Sequence, residues 1–130
     1  MGLVKCKGFE MSKKRIESYI PKAIEVLNKE FSDGKIPSAY NGYISSFGAS
    51  VMQSGLLPTL ALFENTNAKT KESKEYLTYI IAQVLTGKDD DISLLHYVLK
   101  GSEELLKPKI MDIAIAIKLS IRTFKLEKGE

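Results

Sequence analysis

Residues 47–65 read FGASVMQSGLLPTLALFEN, and the way this stretch is broken decides the fold. A helical apolar rhythm runs into Ser54-Gly55, resumes at once with Leu56-Leu57-Pro58, and stays apolar through Phe63. Glycine tolerates the left-handed backbone that closes a helix. Proline suits a helix's first turn, where its missing N–H costs nothing. Gly55 and Pro58 therefore predict two helices meeting at a tight corner. With hardly a polar residue between them, both must turn their apolar faces onto one core.

Outward from this corner, the same rhythm covers nearly the whole chain. Ile16, Tyr19, Ile20, Ala23, Leu27 and Phe31 form the stripe of a first helix between Ser12 and Ser32. A kink or restart is expected at Pro21, because an interior proline costs about 3 kcal/mol. SDGKIP (32–37) is a turn, with Gly34 and Pro37 as breakers. Tyr40, Tyr43, Ile44, Phe47, Val51 and Met52 mark the second helix, and Pro58 opens a short third. After the loop NTNAKT, a fourth helix carries Tyr76, Leu77, Ile80, Ile81, Val84 and Leu85 and stops at Gly87. Asp90 or Asp91 can cap a fifth, ISLLHYVLK, which Gly101 ends.

The last segment fits two periods. Ile113, Ile115, Ile117, Leu119 and Ile121 alternate as in a strand, whereas Ile110, Ala114, Ile117, Ile121 and Phe124 follow a helix. The run continues to Leu126 without a turn residue, too long for an ordinary strand, and no partner strand is evident, so a helix is expected. The whole reads as all-α: a compact bundle of five to six helices. Residues 1–10 are expected to be a flexible N-terminal extension and 11–130 a single helical domain.

A chain of 130 residues can bury a real core as one domain. Its net charge is +3, unevenly spread. Residues 1–35 hold eight Lys/Arg against five acids, 36–99 four against six, and 100–130 seven against five. Two basic ends flank an acidic middle, which permits an anionic partner. The single cysteine, Cys6, has no internal disulfide partner and fits a reducing compartment. No apolar run approaches the roughly 20 residues that span a bilayer, so a cytoplasmic protein with no membrane partner is expected.

Catalytic chemistry finds little footing. His96 is the one histidine, set in LLHYVLK with no second histidine or cysteine to share a metal. Ser, His and Asp occur without a nucleophile elbow. The run Asp89–Asp91 lacks the alternating ligands, mid-loop glycine and distal glutamate of a calcium loop, and helix capping accounts for it. No phosphate-cradling glycine motif is present. Neither enzyme activity nor a metal or cofactor is expected.

The cations say more. Lys13, Lys14 and Arg15 fall in the expected first turn of helix one, where they oppose the helix dipole. Arg15, Lys22 and Lys29 recur every seven residues, and Lys118, Arg122 and Lys125 stand at i, i+4 and i+7 on the last helix. Such rows can follow a phosphate backbone. Either row alone reads more simply as a solvated face; two rows at the two basic ends strengthen the nucleic-acid reading. No aromatic motif of RNA-binding sheets occurs, so base-specific readout is not expected.

IPSAYNGYISSFGASVMQSGLLPTLALF, Ile36 to Phe63, resembles the small subunit of the type III-B CRISPR effector, the Cmr complex. The resemblance rests on the helix-breaking element Ser54-Gly55-Leu56, preceded by Gln53, and on the apolar tract Leu60-Ala61-Leu62-Phe63. A first helix bearing Lys/Arg, a long basic last helix and the chain length agree with it, over about Met11 to Leu126. The resemblance implies an all-α, non-catalytic scaffold whose copies stack head to tail beside other subunits of the effector complex. It implies contact with the guide RNA and target RNA backbone through basic side chains. Charge and spacing nominate Lys13, Lys14, Arg15, Lys22, Lys118, Arg122 and Lys125 for that contact.

Overall fold

The computed structural model describes residues 2–64, 70, 72–88 and 93–127, with side chains placed for 13–64, 70, 72–88 and 93–124. Within them lie six helices and one pair of three-residue strands. In chain order these are α1 (Gly2–Glu30), β1 (Lys35–Pro37), α2 (Ala39–Ser54), α3 (Leu56–Phe63), α4 (Lys74–Thr86), α5 (Leu94–Lys100), α6 (Glu103–Ile121) and β2 (Lys125–Glu127). The all-helical expectation holds.

The corner between α2 and α3 is built as the sequence suggests. Gly55 has φ 97° and ψ 167°, which lies outside the left-handed helical well but in positive-φ territory open essentially to glycine alone. Its N–H donates to the Val51 carbonyl (2.9 Å) and so closes α2. Its carbonyl accepts from the Thr59 N–H (3.3 Å) and from the Thr59 hydroxyl (2.8 Å), which opens α3. The Ser50 and Thr59 hydroxyls then meet at 2.7 Å, tying the two helices across the bend. Leu56, Leu60 and Phe63 thereby join Phe47 and Val51 in the core, with the Phe47 and Phe63 rings edge to face.

α1 and α6 pack against each other and run the same way. Arg15 meets Asp112, and further along in the same chain order Lys35 of β1 pairs with Lys125 of β2 in a parallel register. Each helix ends in a tight turn that feeds its strand: the Gly34 N–H donates to the Phe31 carbonyl, and the Phe124 N–H to the Ile121 carbonyl. Ala23 and Leu27 of α1 and Ile110, Ile113 and Ile117 of α6 are buried in the common core, joined by Leu77, Ile80 and Ile81 of α4.

Several expectations are corrected. α1 does not restart at Pro21; the proline lies inside one helix and is exposed, so the carbonyl it leaves without a donor is on the solvent side. Burial of Ala23 and Leu27 just beyond it outweighs the local cost. Met52 is exposed rather than core. Asp90 and Asp91 lie outside the described residues; the α5 cap is Ser93, whose hydroxyl accepts from the His96 N–H (3.3 Å). Glu64 supports the same helix end, accepting from the Ser93 hydroxyl (2.5 Å) and the Leu95 N–H (3.0 Å). Helical period wins in α6, since Ile115 and Leu119 are 40% and 39% exposed while Ile113 and Ile117 are buried. But α6 stops at Ile121 rather than near Leu126, because the segment after it pairs with β1.

Gly55→Ala is expected to cost on the order of 2 kcal/mol, since the added methyl meets only ordinary contacts and the whole penalty is backbone. Urea unfolding of the two proteins measures it; an unchanged midpoint would mean that this corner does not hold the bundle.

Candidate nucleic-acid interface

The packing of α1 on α6 sets the nominated cations on three neighbouring regions rather than in one row. Lys13 and Lys14 are exposed but lie about three turns into α1, which begins at Gly2, rather than in its first turn as expected. Arg15 points inward along the surface, its Nε donating to Asp112 Oδ2 at 2.7 Å, with the arginine side chain 42% and the aspartate 7% exposed. A buried carboxylate demands a cation, and Arg15 supplies it, so this residue carries a structural duty as well as its charge. Tyr19 sits beside the pair; burial, then the Asp112 charge, raises its phenol above the usual value, against a smaller lowering by Arg15.

Lys22 turns towards α4. Together with Lys29 it lines an open groove of about 700 Å³, floored by Val26, Gln83 and Val84 and bounded by Gly87 and Lys88. The groove is held by a polar chain: Lys29 Nζ donates to Gln83 Oε1 (2.7 Å), Gln83 Nε2 donates to Glu30 Oε2 (3.0 Å), and the Tyr76 hydroxyl donates to Glu30 Oε1. Gln83 and Tyr76 are buried members of α4, so this chain locks α1 to α4.

Lys118 and Arg122 are both exposed. They lie on the outer side of α6, Lys118 about 120° around the helix from the Asp112 that faces α1, beside the exposed Ile115 and Leu119. Lys125 does not extend this row. The helix has ended, and the residue lies in β2 opposite Lys35, with its side chain outside the described set. Sequence reasoning missed Lys88 and Gln83 as groove members. The only available signal was a lysine directly after the Gly87 that closes α4. His96 is exposed on α5, and among the described residues no group of three His, Cys, Asp or Glu could hold a metal. Among the described residues no helix is long and apolar enough to cross a membrane.

Fold and surface together define a small all-helical protein that displays cations from its first, fourth and last helices. Residues 11–113 match the family model described as CRISPR-associated protein (Cas_Cmr5). That segment is well over half of the chain, which therefore belongs to this family and is a subunit of a CRISPR Cmr effector complex. No curated protein matches the chain, and no solved structure does. The match includes the corner at Gly55 and most of α6, and it ends before Lys118.

Two outcomes follow from the geometry. Arg15→Ala removes one partner of the buried Asp112 from a half-exposed ion pair and is expected to cost about 1.5 kcal/mol, whereas Lys13→Ala, Lys14→Ala and Lys118→Ala stay within about 0.5 kcal/mol; denaturant titration separates the two groups. Tyr40 and Tyr76 have phenols raised above the ordinary value, by burial first and, for Tyr76, then by its hydrogen bond to Glu30. Folding keeps them neutral, so stability is intact below about pH 10 and declines as pH rises beyond it. Tyr76→Phe should flatten part of that alkaline decline in pH-dependent thermal melts.

Proposed function

We propose that this chain is the non-catalytic small scaffold subunit of a type III-B effector. In this reading its copies stack head to tail in a filament, touching the guide RNA and target RNA backbone through basic side chains, in cytoplasmic antiviral defence. The observation that carries the reading is the family match combined with the packing of α1 on α6, which brings the two basic ends of the chain onto adjacent helices. Lys13, Lys14, Lys22, Lys118 and Arg122 are the exposed donors for phosphate. Arg15 contributes from a held position, and Lys125 from β2. We take residues 2–10, which form the start of α1 and precede the matched segment, as lying outside the shared domain.

Contacts of this kind carry no base information and release counterions, so affinity should fall steeply with salt. A second reading, a helical protein–protein adaptor without nucleic-acid binding, draws on exposed Met52, Leu62, Leu99 and Leu105. Reversing Lys13, Lys14, Lys22, Lys118 and Arg122 together to Glu and assembling the complex with guide RNA separates the two. The scaffold reading expects target-RNA capture to weaken at least about tenfold at low salt, with the deficit shrinking as salt rises. Undiminished capture by the reversed protein, with assembly lost instead in Leu62→Glu or Leu105→Glu, would support the adaptor.

A further inference from the structure

We propose that the groove between α1 and α4 seats one phosphodiester unit of the RNA backbone, its phosphate held by Lys22, Lys29 and Lys88 and its ribose laid against Val26. The inference rests on the RNA-contact reading and assigns that contact a place. At about 700 Å³ the groove has the size of a small-ligand site rather than a flat surface patch. Three lysines from two separate elements converge on it, and two of them, Lys22 and Lys29, stand two helical turns apart on α1. Gln83 gives Lys29 a fixed acceptor, so one cation is oriented before any ligand arrives. Preorganisation of this sort lowers the ordering cost of binding.

The floor suits a sugar better than a base. The partly exposed Val26 offers apolar surface above the buried Val84, and both ends of the Gln83 amide are engaged, the carbonyl by Lys29 and the nitrogen by Glu30. No donor and acceptor pattern is left there to tell one base from another, which matches a sequence-independent contact. Gly87 carries no side chain over the opening, and its φ of 74° keeps glycine in place. Among the described residues Glu25 is the one carboxylate in the lining. It opposes a phosphate, and so provides a control that moves in the opposite direction.

The test is an amide-resolved NMR titration of the full chain with a short single-stranded uridine oligomer at low salt, alongside target capture by the assembled complex carrying the same variants. Shifts are expected to cluster at residues 22–29 and 83–88. Lys22→Ala with Lys88→Ala should weaken binding about tenfold and lower the salt slope by up to about 0.7, the value for one phosphate contact on a single strand. Glu25→Gln should tighten it about twofold. Shifts confined to the α6 surface around Lys118 and Arg122, with the double variant binding normally, would overturn the groove while leaving RNA contact standing. Absence of any shift, with normal target capture by the double variant and by the fivefold reversal, would overturn both.

Discussion

The constraint on which the rest depends is the side-by-side packing of the first and last helices. α1 and α6 are held in register at two places, by the Arg15–Asp112 ion pair midway and by the β1–β2 pairing at their ends. The ion pair adds little net stability, because burying Asp112 costs much of what the attraction returns. It also bears on register, because sliding α1 along α6 would draw the two charges apart. Once that position is set, the other faces of α1 are set too, and Lys22 and Lys29 must look towards α4.

Much of this was legible in the residues. Helix identity followed from spacing, since a core face repeating every three or four residues leaves its mark wherever it is buried. Gly55, Gly87 and Gly101 announced three helix ends, and at Gly55 and Gly87 the positive φ is the reason that glycine serves there. What escaped was non-local. A three-residue strand has no period to detect, and its partner lies about ninety residues away, so the end of α6 and the place of Lys125 were misread. Asp112 looked like an ordinary helical acid; only the fold shows that it is buried against Arg15. Lys88 stood alone in sequence and became part of a cluster only when α4 lay beside α1. Met52 completed a helical stripe on paper, yet it sits at the edge of that stripe, where α3 turns away.

The distinctive motif and the candidate contacts occupy different parts of the molecule. Gly55, Thr59 and the apolar tract through Phe63 make a corner of core residues, with Lys74 Nζ lying 5.6 Å over the Phe63 ring. The cations stand on helices that the corner helps to position. Family membership therefore tells which assembly the chain serves, while the placement of individual lysines has to be read from packing. The polar chain from Lys29 through Gln83 and Glu30 to Tyr76 shows how closely the two are joined, since a groove side chain is wired directly into the buried face of α4.

The clasp of β2 on β1 also has a meaning in time. A ribosome makes α1 and β1 early and α6 and β2 late, so the nascent protein must wait with its earliest helix lacking its main neighbour. Closing a loop that long is slow compared with local helix formation. Until then α4 is the chief helix that α1 can pack against, and part of its apolar side stays open to water.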